Sequence, residues 1–296
     1  MSARIIDGTR IGRELRADVA AEVERLRAAA GVVPGLAVVL VGNDPASEVY
    51  VRSKTRACHA AGMNDRLIHL RDDVSSDELF GVIDGLNADP AVHGILVQLP
   101  LPPHINPKSV LERVDPAKDV DGFHPLNVGR AFVGDPAGFV PATPAGILEI
   151  LRREEVPTHG RHAVVVGRSL IVSKPLASLL MAPGANATVT LCHRHTVDLA
   201  TYTRLADILI VAVGKPGLIT RDMVKPGAVV LDVGTTRVPD AADPRGYVIR
   251  GDVEFEAVRE VASAISPVPG GVGPMTIAML LRNTVEAARR SAGVDA

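Results

Sequence analysis

The chain has 296 residues, of which 47% are hydrophobic and 3% aromatic, and a formal net charge of −2. This length allows one large or two modest domains, and the near-neutral charge argues against a nucleic-acid surface or a polybasic membrane anchor. The two cysteines form no disulfide framework and fit a reducing compartment. Because the N-terminus lacks an apolar signal core and no segment could span a bilayer, we expect a soluble cytoplasmic protein.

Short apolar runs alternate with helical repeats through the first hundred residues. Asp44 predicts a helix cap, and Pro45 suits the first position of the helix that follows. The predicted elements are helices over 11–30, 45–62 and 79–86 and strands over 36–41, 68–70 and 94–99. A proline- and glycine-rich stretch over 115–144 then shows little periodicity and indicates a junction between domains.

The same alternation continues after the junction. The predicted elements are helices over 143–155, from 173 onward, 255–262 and 275–290 and strands over 163–166, 187–191, 207–213 and 229–233. Few aromatic residues leave Val, Leu, Ile and Ala to build the core, which favours parallel sheets covered by helices. The alternation therefore predicts an α/β fold with right-handed crossovers.

Residues 162–181 read as strand, glycine turn and helix, the opening of a nucleotide-binding βαβ unit. Gly167 allows a sharp turn, and the helix amides beyond it can face an anion. Ser169 and Val172 occupy the next two glycine positions of the G-x-G-x-x-G fingerprint. The pattern alone therefore also fits an ordinary buried strand followed by a capped helix.

The end of the next strand indicates which cofactor this turn would hold. An NAD site usually has an acidic residue there, but this strand ends in Cys192-His193-Arg194. Arg168 and Arg194 can converge on that corner, and two guanidinium groups suit a 2′-phosphate. The sequence therefore predicts NADP rather than NAD.

Polar residues at strand ends and in loops form a second candidate site. Tyr50 and Lys54 are four residues apart and share a helix face. Gln98 interrupts an apolar strand where the strand ends, and ligands of open α/β sheets bind beyond such ends. Asp119 and Asp121 lie in the junction. We expect the lysine, the amide and a carboxylate to line one cleft, where a lysine with a lowered pKa can transfer protons.

Residues 267–274 hold three glycines bracketed by prolines, which would let the backbone approach a flat ligand closely. An interdomain hinge is the alternative reading. No histidines have metal-ligand spacing, since His193-x-His195 is too little for a zinc site, so we expect no metal. A Walker loop and a Ser-His-Asp elbow are also absent.

Taken together, nine segments resemble the bifunctional methylenetetrahydrofolate dehydrogenase/cyclohydrolase (FolD) family, in that family's order. They are VGNDPASEVYVRSK (41–54), GILVQLPLPPHI (94–105), PAKDVDGFHPLNVG (116–129), ATPAGILEIL (142–151), VVVGRSLIVSKP (164–175), ADILIVAVGKP (206–216), VVLDVG (229–234), GDV (251–253) and SPVPGGVGPMTIAMLLRNT (266–284). Together they span nearly the whole chain.

The resemblance implies two α/β domains with a cleft between them. Residues 1–121 and 275–296 would form a three-layer folate domain, to which the last helix returns. Residues 122–274 would form a Rossmann-like NADP domain that includes the linker helix at 143–155. A homodimer is implied by the resemblance only.

The resemblance also implies a function in one-carbon metabolism, which serves purine, methionine and histidine biosynthesis. The family oxidises 5,10-methylenetetrahydrofolate to the methenyl form with NADP and hydrolyses that ring to 10-formyltetrahydrofolate. Lys54 would be central to ring opening, with Gln98 positioning it. Asp121 would hydrogen-bond the pterin, and Tyr50 would pack on the aminobenzoyl group. The other implied contacts are Leu99, Pro269, Gly270 and Gly271 for folate, Gly167, Arg168 and Ser169 for the NADP phosphates, and the Thr235 backbone for the nicotinamide.

The chain departs from the family pattern near the cofactor turn. The family usually has Asn at the position of Leu170 and Gly at that of Ser173, and Ala145 and Thr235-Thr236 also differ. Two alternatives therefore stay open: a cyclohydrolase with weak or lost dehydrogenase activity, and a folate- or nucleotide-binding regulator without turnover.

Overall fold

The computed structural model of the chain describes residues 2–294, and only the backbone of Ala46. In chain order its elements are β1 (Arg4–Ile5), α1 (Gly8–Ala30), β2 (Gly35–Val41), α2 (Pro45–Ala60), β3 (Asn64–Leu70), α3 (Ser76–Ala88), β4 (Gly94–Val97), α4 (Pro107–Arg113), α5 (Pro125–Val133), α6 (Ala142–Arg153), β5 (His162–Val166), α7 (Ser173–Met181), β6 (Thr188–Cys192), α8 (Leu199–Thr203), β7 (Ile208–Val211), β8 (Val229–Asp232), β9 (Thr236–Pro239), β10 (Tyr247–Arg250), α9 (Phe255–Arg259), β11 (Ala264–Ile265) and α10 (Gly273–Ser291). No helix within residues 2–294 is long and apolar enough to cross a bilayer.

The chain divides into two compact units. Unit 1 comprises Met1–Gly12 and Thr143–Thr276, and unit 2 comprises Arg13–Ala142 and Ile277–Ala296. The predicted α/β fold with parallel sheets and two domains is confirmed.

Unit 2 is built on a parallel sheet with strand order β3-β2-β4. Successive side chains of a strand point to opposite faces, so a strand buried on both faces is apolar throughout, as β2 is. Val38 joins an apolar cluster with side chains from α1, α2 and α10, whereas Val39 joins one with side chains from α3 and α4. Helices therefore cover both faces of the sheet, which gives the three predicted layers.

Unit 1 contains a six-stranded parallel sheet with strand order β1-β11-β8-β7-β5-β6 and an antiparallel hairpin of β9 and β10. The core strands β5, β7 and β8 are almost entirely apolar and buried, as the sequence predicted. The edge strand β1 pairs with β11, which brings the first residues of the chain into this unit. This pairing could not be predicted from the sequence pattern, because each strand has only two residues.

The units differ from the predicted domains at residues 2–12, 122–142 and 275–276. The second segment lies in unit 2 because Phe139 packs in the same apolar cluster as Val120, and the Asn283 side chain donates to the carbonyl oxygens of Val120 and Val140 at 2.8 and 3.0 Å. The predicted junction over 115–144 also contains helix α5, which the His124 side chain caps and which ends at a left-handed Gly134. Its nine residues are too few to show a clear helical repeat.

The loop before α5 is organised by two buried polar side chains. Asp119 accepts hydrogen bonds from the backbone N–H of Phe123 and His124, at 3.2 and 2.8 Å, and from Asn127 Nδ2 at 2.9 Å. Asn127 also donates to the carbonyl oxygen of Pro116 at 2.8 Å. These bonds fix the loop on both sides of Asp121.

Replacing Asn127 by alanine should lower the free energy of unfolding by about 2 kcal/mol, because it removes one of three donors from the buried Asp119 carboxylate and the side-chain donor from the Pro116 carbonyl oxygen. Chemical denaturation measures this loss. Asn64→Ala, at an exposed position on β3, is the control and should change stability little. Equal effects of the two substitutions would contradict the structural role given to Asn127.

Candidate active site

Helix α2 presents the first group of candidate residues. Asp44 caps it by accepting a hydrogen bond from the Ser47 N–H at 2.7 Å, and Pro45 follows at the first position, as predicted. Tyr50 and Lys54 lie one helical turn apart, and the Tyr50 side chain is 51% exposed. Lys54 Nζ donates a hydrogen bond to Gln98 Oε1 at 2.9 Å.

Gln98 has a fixed orientation. It directly follows β4, and its backbone N–H donates to the Val39 carbonyl oxygen of β2 at 2.9 Å. Its side-chain Nε2 donates to the Leu99 carbonyl oxygen at 2.7 Å. Because the amide nitrogen has this acceptor, the amide oxygen is the atom that faces Lys54. The side chain that follows this strand end thus contacts the lysine amine through its amide oxygen.

Burial and mutual charge shift the pKa values of Lys54 and Asp121. Burial lowers the pKa of Lys54, and the negative charge of Asp121 partly opposes that shift. Burial raises the pKa of Asp121 to about 6, against the opposing effect of Lys54 and with a smaller rise from Asp119. At neutral pH, Asp121 is therefore mainly a carboxylate, while Lys54 loses its proton more readily than a solvated lysine. An amine of this kind is suited to accept a proton from a reacting group.

The glycine turn of unit 1 lies between β5 and α7. Gly167 has a φ of 141°, and a Cβ at this position would overlap Ser173 Oγ and lie 2.5 Å from the Ala212 carbonyl oxygen. Only glycine therefore fits here without displacing the neighbouring chain. The Ser173 hydroxyl is itself buried and has no hydrogen-bond partner within residues 2–294.

The amides that can face an anion lie earlier than the sequence predicted. Ser169 Oγ accepts from the N–H groups of Val172 and Ser173, at 3.1 and 3.2 Å, so these groups at the start of α7 are already engaged. Lys174 N–H donates to the Ser169 carbonyl oxygen at 3.1 Å. By contrast, the backbone N–H groups of 168–171 donate to no group of the described chain. The turn, rather than the first turn of the helix, therefore offers the N–H groups that are free to face an anion.

The two predicted arginines follow neighbouring strands. Val166 at the end of β5 pairs with Cys192 at the end of β6, and the Gly167 N–H donates to the Cys192 carbonyl oxygen at 2.8 Å. The next residue after Gly167 is Arg168, and Arg194 lies two residues after Cys192; both are exposed. The ends of these two strands therefore carry positive charge beside the free amides.

The remaining predicted contacts also lie in unit 1. Pro269, Gly270 and Gly271 form the loop before α10, where the Gly270 carbonyl oxygen accepts from the Thr9 N–H at 3.0 Å. Thr235 is exposed between β8 and β9. Tyr50, Lys54, Gln98, Leu99 and Asp121 all belong to unit 2.

Two buried carboxylates of unit 1 were not predicted. Asp232 ends strand β8, and Asp252 lies in the loop after β10; both are at most 4% exposed. Asp232 could have been predicted from the sequence, because it is a polar residue at the end of an apolar run, as Gln98 is. Within residues 2–294, no group of three or more His, Cys, Asp or Glu side chains is placed to hold a metal ion.

The chain is similar to known proteins along nearly its full length. Residues 6–121 match the family model described as "Tetrahydrofolate dehydrogenase/cyclohydrolase, catalytic domain", and residues 141–292 match that described as "Tetrahydrofolate dehydrogenase/cyclohydrolase, NAD(P)-binding domain". It is 68% identical to "Bifunctional protein FolD 1" of Myxococcus xanthus over 98% of this chain and 99% of that protein.

Two solved structures are similar throughout. The bifunctional FolD enzyme of Campylobacter jejuni superposes with a TM-score of 0.92 at 45% identity, covering 98% of this chain and 99% of that one. The Trypanosoma brucei enzyme, solved with NADP cofactor and inhibitor, superposes with a TM-score of 0.93 at 39% identity and the same coverage.

Replacing Asp121 by asparagine should move the titration of Lys54 to lower pH, because it removes the negative charge that raises the lysine pKa. NMR of the ¹³C-dimethylated lysine, assigned with a Lys54→Arg variant, follows this titration directly. Asp73→Asn, at an exposed aspartate paired with Arg71, is the control and should leave it in place. A Lys54 titration that moves to higher pH in Asp121→Asn would refute the coupling.

Proposed function

The chain belongs to the tetrahydrofolate dehydrogenase/cyclohydrolase family, and we propose that Lys54, Gln98 and Asp121 carry its ring-opening step. The protein is an NADP-dependent enzyme that oxidises 5,10-methylenetetrahydrofolate to the methenyl form and hydrolyses that form to 10-formyltetrahydrofolate. The observation that carries the residue assignment is the hydrogen bond from Lys54 to Gln98, which directs the lysine amine at a strand end.

The hydrolysis needs little activation of its electrophile. The methenyl bridge already carries positive charge, so water adds to its carbon once the proton released from that water has an acceptor. Lys54 is the acceptor of this proton, because burial lowers the pKa of its amine and so favours the neutral form that can take the proton up. Gln98 Oε1 holds one N–H of the lysine, which leaves the amine lone pair in a defined direction. The lysine ammonium then returns its proton to the leaving nitrogen, the added hydroxyl loses its proton to solvent as the C=O bond forms, and cleavage of the bridging carbon–nitrogen bond gives the formyl product.

The other polar groups of unit 2 suit recognition of the folate. Asp121 can accept two N–H donors of a pterin through its two carboxylate oxygens. Tyr50 offers an exposed ring one helical turn from Lys54, which can pack on the aminobenzoyl group. The Leu99 backbone lies beside the Gln98 amide. Pro269, Gly270 and Gly271 of unit 1 are also assigned to folate binding. The reason is that glycines allow the backbone to approach a flat ligand closely.

The residues of the glycine turn fit NADP. Four consecutive free N–H groups at 168–171 suit a pyrophosphate, and the exposed Arg168 and Arg194 suit a 2′-phosphate. When bound, NADP accepts the hydride that the folate loses. The protein contributes binding and orientation: Gly167 lets the chain turn, and Ser169 holds the turn in shape. Thr235 would present its backbone to the nicotinamide side.

The departures from the family pattern at Leu170 and Ser173 leave the free N–H groups of the turn in place. Leu170 has a 67% exposed side chain and still offers a free backbone N–H, and the Ser173 side chain is buried against Gly167. Because the backbone supplies the anion-binding groups, neither side chain needs to be the family's usual one. This supports retention of the dehydrogenase over its loss.

We also infer a homodimer and a cytoplasmic location. Unit 1 exposes large apolar side chains along its edge strand β6 and around α8, including Leu191, Val197 and Leu205, and such a surface suits an interface with a second copy. Cys58 and Cys192 are both buried and free, which fits a reducing compartment.

Replacing Lys54 by methionine should abolish hydrolysis of methenyltetrahydrofolate while folate still binds, because methionine keeps the unbranched shape and most of the length of the side chain but cannot accept a proton. An absorbance assay follows hydrolysis, and calorimetry follows binding. Lys108→Met, at an exposed position on α4, is the matched control and should retain full activity. Hydrolysis at the normal rate in Lys54→Met would overturn the role assigned to this lysine.

Replacing Arg194 by serine should weaken NADP binding by about tenfold or more, through loss of charge-assisted hydrogen bonds to the 2′-phosphate, and should leave NAD binding unchanged. Calorimetric titration with both cofactors measures the difference. Arg221→Ser removes another arginine of unit 1 and serves as the control. Comparable affinity of the unaltered protein for NADP and NAD would contradict the assignment of the two arginines to the 2′-phosphate.

A further inference from the structure

Asp232 and Asp252 form a pair of buried carboxylates behind the turns that follow β7 and β8. Asp232 Oδ1 accepts from the N–H groups of Gly234 and Asp252, each at 2.9 Å, and Oδ2 accepts from Val253 N–H at 2.9 Å. Asp252 Oδ2 accepts from the N–H groups that follow β7, those of Val213 at 2.7 Å and of Gly214 at 3.0 Å. The pair therefore binds five backbone N–H groups of three loops.

Each carboxylate also packs against a glycine that lies near the other carboxylate in the sequence. A Cβ on Gly251 would overlap Asp232 Oδ2, and a Cβ on Gly234 would lie 2.5 Å from Asp252 Oδ1. The glycines thus let two segments, 232–234 and 251–253, approach closely enough for the carboxylates to reach the amides. This reciprocal fit explains why an Asp lies close to a Gly in both segments.

The hydrogen bonds decide which backbone groups these turns present outward. In a trans peptide the N–H and the preceding C=O point in opposite directions. Since the N–H groups of Gly214 and Gly234 point to the buried carboxylates, the carbonyl oxygens of Val213 and Val233 point away from them. Val213, Gly214 and Thr235 are exposed. These turns therefore offer acceptors, whereas the turn after β5 offers free N–H donors.

The pair also carries uncompensated negative charge. No cationic side chain of the described residues forms an ion pair with either carboxylate, and Asp252 Oδ1 is buried without a hydrogen-bond partner there. Burial, with a further contribution from Asp252, raises the pKa of Asp232 to about 6, so Asp232 is ionised at pH 8. A charge at low dielectric acts over longer distances than one in water.

We propose that the Asp232–Asp252 pair makes the cofactor site favour oxidised NADP⁺ over reduced NADPH. The inference rests on the proposed function, in which the turn after β8 meets the nicotinamide. The two cofactor forms share every phosphate, ribose and adenine group, but only the oxidised nicotinamide ring is positively charged. Negative charge and outward carbonyl oxygens at these turns therefore stabilise the oxidised ring selectively.

The test is the ratio of two dissociation constants, that of NADP⁺ divided by that of NADPH, measured by calorimetry at pH 8. In Asp252→Asn this ratio should rise about tenfold, the size of effect that the loss of one unit charge can have in a site of reduced dielectric constant. A merely structural role would weaken both cofactors equally. An unchanged ratio in a folded variant would overturn the proposal.

Two controls distinguish the effect of losing the Asp252 charge from an effect on folding. Asp222→Asn removes an exposed aspartate of the same unit and should leave the ratio unchanged. Hydrolysis of methenyltetrahydrofolate, assigned to residues of unit 2, reports whether each variant is folded. Failure of the unaltered protein to bind either cofactor would instead overturn the NADP assignment, and this proposal with it.

If Asp252→Asn does not fold, the unaltered protein supplies the second measurement. Lowering the pH from 8 to 5 protonates Asp232, so the same ratio should rise as the pH falls through about 6. The charged group that faces Asp232 is Asp252, and its other partners are backbone amides. A change of charge near the phosphates affects both cofactor forms alike and cancels in the ratio. A ratio that stays constant across this range would overturn the proposal.

Discussion

Buried carboxylates that accept hydrogen bonds from backbone N–H groups hold the functional loops of both units in place. A loop that leaves a strand end has amides without sheet partners, and buried amides without acceptors are costly. In unit 2, Asp119 supplies the acceptor for the loop that carries Asp121. In unit 1, Asp232 and Asp252 do so for the turns after β7 and β8. The neighbouring reactive side chains gain fixed positions as a result.

This arrangement separates two kinds of aspartate that look alike in the sequence. Asp119 and Asp121 are two residues apart, yet the first is fully engaged with the loop backbone and the second faces the lysine. Burial without such amide donors raises the pKa of Asp121, because nothing offsets the desolvation of its charge except Lys54. Because Asp119 accepts the hydrogen bonds of the loop amides, the Asp121 carboxylate stays available for the ligand contact that we propose for it.

The sequence revealed the parts of the structure that local pattern determines. Apolar runs located β2, β5, β7 and β8, and Gln98 was recognisable as a polar residue that ends such a run. The strand β1 was not, because its pairing with β11 spans nearly the whole chain and involves two residues on each side. The partners of individual backbone N–H groups could not be predicted either. Only the structure shows that Ser169 Oγ accepts from the first N–H groups of the helix, so that the free N–H groups are those of the turn.

The carboxyl edge of the unit 1 sheet therefore has two ends of opposite character. After β5 and β6, free amides and arginines attract negative charge; after β7 and β8, carboxylates turn the amides inward and leave carbonyl oxygens outside. An oxidised dinucleotide has the same polarity, with phosphates at one end and a cationic ring at the other. A parallel sheet alone provides no such asymmetry, since its strand ends are alike. The asymmetry arises from the few polar side chains that decide where each turn directs its N–H groups.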